Sequence, residues 1–346
     1  MNSELDDNLL MRRCFELARL GAGMVSPNPL VGCVVVNDGR IIGEGWHEKY
    51  GGPHAEVNAI NSVKDKRLLE DATLYVNLEP CAHFGKTPPC ADLLAGLPLA
   101  RIVICNVDPN PLVKLKGIEK LKRANNEITV GVMEDVGLEL NQTFFTFIQK
   151  NRPYVILKWA ETNDGFIARE DFNSKWISNE HSRRLVHRWR SEIDAIMVGT
   201  NTAKYDNPQL TVREWSGRNP TRIVIDNDLV LGKELHLFDK SIATICYNFQ
   251  KQYSEENLEY VKLDPAVDFI DFLMEDLKSR KIASLLVEGG SRLLQSFINS
   301  GLWDEARVFT SDVNFGSGIK APTISCLPCK KIYIKNDRLK IYKNLL

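Results

Sequence analysis

The chain has 346 residues, 44 basic against 45 acidic side chains, a formal net charge of -1 and 44% hydrophobic residues, a composition that suits two folded domains better than one and excludes a disordered chain. No broad basic field exists, so a nucleic-acid partner is not expected. The longest apolar runs, such as Val31 to Val36 and Ile282 to Val287, are strand-sized and far below the ~20 residues of a membrane span, so no membrane association is expected either.

From the N-terminus, residues 6–21 have helical spacing, with Leu9, Leu10, Cys14, Leu17 and Ala18 on one face before Gly21-Ala22-Gly23. The segment fits neither a signal nor a transit peptide, which predicts a cytoplasmic protein. Two strands, Leu30 to Val36 and Arg40 to Trp46, flank the turn Asn37-Asp38-Gly39. A helix near 55–63, a strand Thr73–Leu78, a helix near 91–97, a strand Arg101–Val107, a helix near 117–125 and a strand Ile128–Val132 follow. This alternation predicts an α/β domain with a mostly parallel sheet and helices on both faces. Around Asn151-Arg152-Pro153 the pattern restarts, with strands expected at Tyr154–Trp159, Ala195–Gly199, Arg222–Asp226, Ser241–Tyr247, Ala283–Glu288 and Ala306–Thr310. Helices are expected over Asn179–Arg190, capped by Ser178, and near 268–279 and 291–299. The domains are therefore placed at 1–148 and 149–346.

Eight cysteines in so long a chain do not form a disulfide scaffold. Cys14, Cys33, Cys105 and Cys246 read as small core hydrophobes, and Cys326-Leu327-Pro328-Cys329 has knuckle spacing without a second half. His54-Ala55-Glu56, Glu79-Pro80-Cys81 and Pro88-Pro89-Cys90 form a different pattern. One imidazole and two thiolates can hold zinc and leave its fourth position for a water, acidified by the metal into a nucleophile. Glu56 can carry protons beside that water without binding metal. His54 and Glu56 must share an irregular first helical turn to face one pocket. Cys90 is expected at a helix start whose N–H groups favour its thiolate. The order H-x-E, P-C, C matches zinc nucleobase deaminases, except that eight residues rather than two separate the cysteines. The long loop between them carries His83 and Lys86, which predicts a substrate larger than a base.

Further motifs carry a resemblance: Ser26 to Gly32, Gly45-Trp46-His47-Glu48, Gly51 to Glu56, Leu78 to Cys90 and Asp108-Pro109-Asn110-Pro111. In the second half they are Leu157 to Ala160, Asp164 to Ala168, Ser174 to Ile177, Val198 to Thr202, Asp206 to Arg213 and Val287 to Ser291. The chain resembles the bacterial bifunctional riboflavin-biosynthesis deaminase-reductases over nearly its whole length. The resemblance implies a cytidine-deaminase-like three-layer domain followed by a dihydrofolate-reductase-like domain, with Zn2+ and NADPH as cofactors. It implies zinc on His54, Cys81 and Cys90, with Glu56 catalytic, and Asn28, His47, His83 and Lys86 on the pyrimidine and its ribose phosphate. In the second domain it implies substrate contacts from Ser174, Arg190, Leu210, Arg213 and Glu288. The NADPH site would comprise Ala160, Trp176, Thr202, Asp206, Asn227 and the stretch Gly290, Ser291, Arg292, Leu293, Leu294, Gln295 and Ser296.

No GxGxxG follows a strand in that half, so Gly289-Gly290 before a helix is the candidate phosphate-facing backbone. Arg190 and Arg213 are suited to gripping phosphate through paired hydrogen bonds. Two stretches depart from the family pattern, Lys114-Leu115-Lys116 ahead of Gly117 and Glu161-Thr162-Asn163 ahead of Asp164. The expected reaction is deamination of 2,5-diamino-6-(5-phosphoribosylamino)pyrimidin-4-one at C2, then NADPH reduction of the ribosyl group to ribityl, with Lys158 polarising C1′ or holding the sugar. Three rivals are a deaminase with a non-catalytic second domain, a tRNA or cytidine deaminase, and a zinc-stabilised binding module. The expected partner is a small phosphoribosylaminopyrimidine, and a homo-oligomer is compatible with all of this.

Overall fold

The computed structural model describes residues 6–84, 88–111, 113–174 and 177–344. The chain divides into two compact units, Met1–Asn151 and Arg152–Leu346, where the sequence pattern had suggested a break after residue 148.

The first unit contains α1 (Asp7–Arg19), β1 (Gly32–Asn37), β2 (Arg40–Trp46), α2 (Ala55–Ser62), β3 (Thr73–Leu78), α3 (Cys90–Ala95), β4 (Arg101–Asn106), α4 (Lys116–Arg123), β5 (Glu127–Val130), α5 (Glu134–Leu140) and α6 (Gln142–Gln149). The sheet order is β2-β1-β3-β4-β5. It is mixed rather than mostly parallel: β1 runs antiparallel to both β2 and β3, while β3, β4 and β5 are parallel. The tight turn at Asn37-Asp38-Gly39 accounts for the first antiparallel pair, since a hairpin reverses the strand. Strand alternation builds the three layers. Cys33, Val35, Leu74, Val76, Ile102 and Ile104 face a core with α2, α4 and α6, whereas Val34, Val36, Tyr75, Val103 and Cys105 face α1 and α5. The helices α5 and α6 fill a stretch for which the sequence pattern assigned no element.

The second unit contains β6 (Tyr154–Glu161), β7 (Phe166–Ala168), α7 (Glu180–Glu192), β8 (Ala195–Val198), α8 (Thr200–Asp206), β9 (Thr221–Ile225), β10 (Thr244–Asn248), β11 (Tyr253–Glu255) and β12 (Leu258–Lys262). It continues through α9 (Phe269–Ser279), β13 (Ser284–Val287), α10 (Ser291–Ser300), β14 (Glu305–Thr310), β15 (Ile319–Lys320), β16 (Lys330–Ile334) and β17 (Asp337–Lys343). Ten strands form one sheet in the order β11-β12-β10-β9-β8-β13-β6-β14-β17-β16. Its middle, from β12 to β14, is parallel, and its margins, β11 and the β17–β16 hairpin, are antiparallel.

The start of this unit is pinned by Arg152, whose guanidinium grips the buried Asp304 carboxylate through two hydrogen bonds of 2.6 and 2.8 Å. Helix α7 is capped by Asn179 rather than Ser178. The Asn179 side chain accepts the Ser182 N–H at 3.0 Å and its own N–H donates to Asp337, which fixes the cap one residue later than the sequence suggested. Cys14, Cys33, Cys105 and Cys246 are buried, while Cys326 and Cys329 are exposed. No helix among the described residues is long and apolar enough to cross a membrane.

Candidate metal centre and cofactor cleft

Three elements of the first unit converge. His54 is the extended residue that caps α2, with Glu56 in the first turn of the helix. Cys81 lies just past the end of β3, and Cys90 opens α3. Helix α2 reaches this position because Gly45 on β2 lets it approach: a Cβ there would lie 2.3 Å from the Ala59 backbone nitrogen. His54 Nδ1 lies 3.5 Å from Cys81 Sγ and 3.3 Å from Cys90 Sγ, and all three donor atoms fall within 4.8 Å of one another. Tetrahedral zinc with Zn–S of about 2.3 Å and Zn–N of about 2.0 Å requires N···S separations of about 3.5 Å. The donor set therefore fits the metal in kind and in spacing.

The two thiols are not equivalent. Hydrogen bonds from Cys90 and His54 hold the Cys81 thiol down to about 4, and the Cys90 N–H donates to Cys81 Sγ at 3.3 Å. The Cys90 thiol is pushed well up by its hydrogen bond to Cys81 and by burial. The helix-start N–H expected to favour the Cys90 thiolate thus serves Cys81. Burial pushes the Glu56 carboxyl up to about 6.

Around the triad is a cavity of about 250 Å³ whose walls include Asn28, His47, His54, Glu56, Cys81 and His83. His47 Nδ1 lies 2.9 Å from the Pro53 carbonyl. That oxygen can only accept, so Nδ1 carries the proton and Nε2 accepts the Asn28 side-chain N–H at 3.0 Å. Burial lowers the His47 pKa, consistent with a neutral ring that orients Asn28. Lys86 lies outside the described residues.

Glu79 forms another wall of this cavity, with Asp108, Asn110 and Val113. Its buried carboxylate accepts the backbone N–H groups of Asp108, Leu115, Gly117 and Ile118 at 3.0 to 3.3 Å. It thereby caps α4, whose N-cap residue Leu115 offers no side-chain acceptor. The stretch Lys114-Leu115-Lys116 is shaped by this anchor. Nothing in the sequence distinguished Glu79 except its place beside Cys81.

The second unit holds a cavity of about 950 Å³ at the carboxyl ends of its parallel strands, where open α/β sheets bind ligands. Lys158, Ser174, Arg190, Leu210, Arg213 and Glu288 line it, as do Ala160, Thr202, Asp206, Asn227, Gly290, Ser291, Arg292, Leu293 and Ser296. Trp176 lies outside the described residues. Two of the residues expected at the cofactor do not line the cavity. Leu294 is fully buried in the hydrophobic core, and Gln295 accepts the Thr323 N–H and donates to Asn299. The helical period turns both away from the cleft, which α10 meets with Arg292, Leu293 and Ser296. The departure Glu161-Thr162-Asn163 also misses the cavity: Glu161 accepts from Trp159 and Thr310, and Asn163 accepts from Arg338.

At the heart of the cleft Arg190 donates to both Glu288 oxygens at 2.8 Å and to the Thr211 carbonyl at 3.2 Å. The paired donors expected to grip phosphate are therefore closed on a carboxylate. Lys158 Nζ stands 3.7 Å from Glu288. Burial alone would raise the Glu288 pKa, but the charges of Arg190 and Lys158 hold it down to about 2. Burial lowers that of Lys158. Ser174 donates to Asp206 at 3.1 Å, so two groups expected to meet ligands are bonded to each other here.

The chain is 41% identical to the riboflavin biosynthesis protein RibD of Aquifex aeolicus (strain VF5), over 92% of this chain and 90% of that one. It belongs to the RibD family. The RibD of Escherichia coli (strain K12) is 34% identical over 90% of this chain and 89% of its own length. A diaminohydroxyphosphoribosylaminopyrimidine deaminase/5-amino-6-(5-phosphoribosylamino)uracil reductase from Thermotoga maritima superposes with a TM-score of 0.89 at 37% identity, covering 98% of each chain. Residues 5–106 match the cytidine and deoxycytidylate deaminase zinc-binding region, and residues 153–335 match the RibD C-terminal domain.

As a RibD, the chain carries both a cytidine-deaminase-like domain and a dihydrofolate-reductase-like domain, and it is an enzyme of both kinds, hydrolase and oxidoreductase. The presence of both domains favours two activities over deamination alone. Zinc serves the first and NADPH the second. The lining of the RibD reductase cleft also includes one buried group that the motifs did not single out, the imidazole of His187.

Proposed function

We infer that the first unit removes the C2 amine of 2,5-diamino-6-(5-phosphoribosylamino)pyrimidin-4-one, and that the second reduces the resulting ribosylaminouracil phosphate to its ribityl form. The observation that carries this is the convergence of His54, Cys81 and Cys90 beside the buried Glu56. When bound there, zinc supplies an acidified water as nucleophile. Burial lifts the Glu56 carboxyl to about 6, close enough to neutrality for the carboxylate to take a proton from the nucleophile and then, as the acid, return it to the departing amine. Asn28, oriented by neutral His47, offers the pyrimidine edge a fixed amide. His83, on the rim of the same cavity, and Lys86 supply contacts to the ribose phosphate.

In the second unit NADPH supplies hydride when bound. Gly290, Ser291, Arg292, Leu293 and Ser296, with Ala160, Thr202, Asp206 and Asn227, bind it along the cleft. Lys158 polarises C1′ of the open-chain sugar, steadied by Glu288. Ser174 and Leu210 bound the sugar. We place the protein in the cytoplasm, acting on a small molecule rather than on nucleic acid. The test is to supply the diaminopyrimidine phosphate with and without NADPH and weigh the products. A gain of about one mass unit without cofactor and about two more with it is expected from hydrolysis of an amine and addition of two hydrogens. An unchanged substrate mass without cofactor refutes the deaminase assignment.

A further inference from the structure

Six of the eight cysteines are accounted for by the core or by the metal. Cys14, Cys33, Cys105 and Cys246 are buried, and burial pushes their thiols up, which makes them inert. Cys81 and Cys90 belong to the zinc donor set. The remaining two, Cys326 and Cys329, are exposed, and neither activity uses them. They flank Leu327-Pro328, where the chain bends into β16, the strand at the edge of the ten-stranded sheet. Leu327 is 90% exposed, so the loop stands open to solvent. Both sulfurs rest on one strand end: Cys329 Sγ lies 3.3 Å from the Ile341 carbonyl oxygen and Cys326 Sγ 3.9 Å from that of Lys343. Carbonyls two residues apart point to the same side of a strand, about 7 Å from each other, so the two thiols share one side of β17. The loop is also held on both flanks, by the Cys329 N–H on the Ile341 carbonyl at 2.8 Å and by the Thr323 N–H on Gln295 at 2.9 Å.

We propose that Cys326 and Cys329 are a thiol–disulfide exchange site for small, carboxylate-bearing disulfides of the oxidised-glutathione kind, with Cys326 attacking and Cys329 resolving. The order follows from the contacts. Cys329 is fixed on one carbonyl by both its sulfur and its N–H, while the longer contact of Cys326 leaves its sulfur freer to turn outward. The Cys326 thiolate bonds to one sulfur of the small disulfide, whose S–S bond breaks and releases one small thiolate. The Cys329 thiolate then bonds to the Cys326 sulfur, and the second small thiolate leaves. Two protein thiols are oxidised, the small disulfide is reduced to two thiols, and the protons given up by the cysteines pass through solvent to the leaving groups. Charge selects the partner: residues 319–336 include four lysines and no acid, a local field that draws an anion. Loop size makes the bond a reversible couple rather than a structural staple. Only two residues separate the cysteines, and the entropy that a disulfide removes from the unfolded chain is smallest for the shortest loops.

The experiment equilibrates the full zinc-loaded chain with glutathione at several ratios of reduced to oxidised form and weighs its peptides. Cleavage after lysine isolates residues 321–330, which hold both cysteines and no other. With oxidised glutathione in excess this peptide is expected to lose about two mass units, the two hydrogens of the dithiol. Excess reduced glutathione is expected to restore them, while the peptides that carry Cys81 and Cys90 keep their mass throughout. Cys329→Ser is expected to retain one glutathione on Cys326, and Cys326→Ser to form its adduct on Cys329 several-fold more slowly. Neither cysteine lines either cavity, so both variants are expected to keep ammonia release and NADPH oxidation. Added salt is expected to slow closure of the wild type by oxidised glutathione and not by cystamine, a cationic disulfide. No bridge at any ratio, glutathione left on both cysteines, or a bond that excess reduced glutathione fails to reopen overturns the exchange site. Faster adduct formation in Cys326→Ser than in Cys329→Ser overturns the assigned order, and equal slowing of both disulfides by salt overturns the selection by charge.

Discussion

Glu79 Oε1 accepts the N–H of Gly117 at 3.0 Å, and this bond ties the strand end that carries Cys81 to the wall of the deaminase pocket. The same carboxylate takes three more backbone N–H groups. A glutamine there presents one acceptor oxygen and turns an NH2 group toward donors. Glu79→Gln is expected to destabilise the first unit by about 1 to 3 kcal/mol, the cost of buried polar groups left unmatched. Because Asp108, Asn110 and Val113 line the pocket on the anchored segment, KM for deamination should rise while bound zinc stays stoichiometric. Thermal melts, metal analysis and deaminase kinetics check all three. Gly117→Ala should be worse for folding, since its Cβ would lie 2.1 Å from the Pro80 carbonyl oxygen, a backbone atom that cannot turn aside.

Glu56 and Cys81 separate proton transfer from metal binding. Glu56→Gln keeps the shape of the side chain and removes its ability to cycle a proton, so ammonia release should fall about 10²- to 10⁴-fold, the usual worth of a positioned acid/base. Zinc content should not change, because Glu56 is outside the donor set. Cys81→Ala should lose both metal and ammonia release. Equal zinc loss in the two variants would mean that Glu56 is a ligand instead.

The contrast between what the chain's pattern revealed and what it concealed follows from range. The strand Thr73–Leu78 and the ends of α2 and α3 are legible because apolar alternation and helix-start chemistry are local. The triad is legible because its residue types at those spacings have few other uses. By contrast, β1 pairing antiparallel with β3 depends on contacts about forty residues apart, and the late strands β15 to β17 are set by partners rather than by their own composition. Arg190 shows the limit most sharply. Its type was suited to phosphate, but only the fold reveals a carboxylate 98 residues away closing its donors. Leu294 and Gln295 were included by continuity along a motif, where the helical period assigns them to other faces.

Glu288 makes the reductase unit sensitive to acid. Its pKa is held at about 2 against an ordinary value of 4.5. A depressed carboxyl contributes stability that is present above its unfolded pKa and is lost as pH falls through its folded one. The contribution, on the order of 3 kcal/mol by linkage, should therefore fade between about pH 4.5 and about pH 2. Glu288→Gln leaves Arg190 and Lys158 buried without their counter-charge and should cost several kcal/mol at neutral pH. Denaturant titrations of both proteins down the pH scale should show that gap closing toward pH 2. A gap that stays constant with pH would mean that the cluster does not set the Glu288 charge.

Helix α10 offers a separation of stability from cofactor binding within a single helical turn. Leu294 points into the core with no exposed surface, and Leu294→Ala removes a packed side chain. It should lower stability by about 2 to 5 kcal/mol and leave KM for NADPH close to the wild-type value in whatever fraction remains folded. Arg292 is exposed on the cleft side, so Arg292→Ala should barely move the melting temperature but raise KM for NADPH several-fold if its charge meets a cofactor phosphate. Gln295, bonded to Thr323 and Asn299 away from the cleft, should tolerate alanine with neither effect above about 1 kcal/mol. Melting curves and NADPH titrations on the three variants give the pattern directly. A rise in KM for Leu294→Ala matching that of Arg292→Ala would mean that the whole turn, rather than one face of the helix, holds the cofactor.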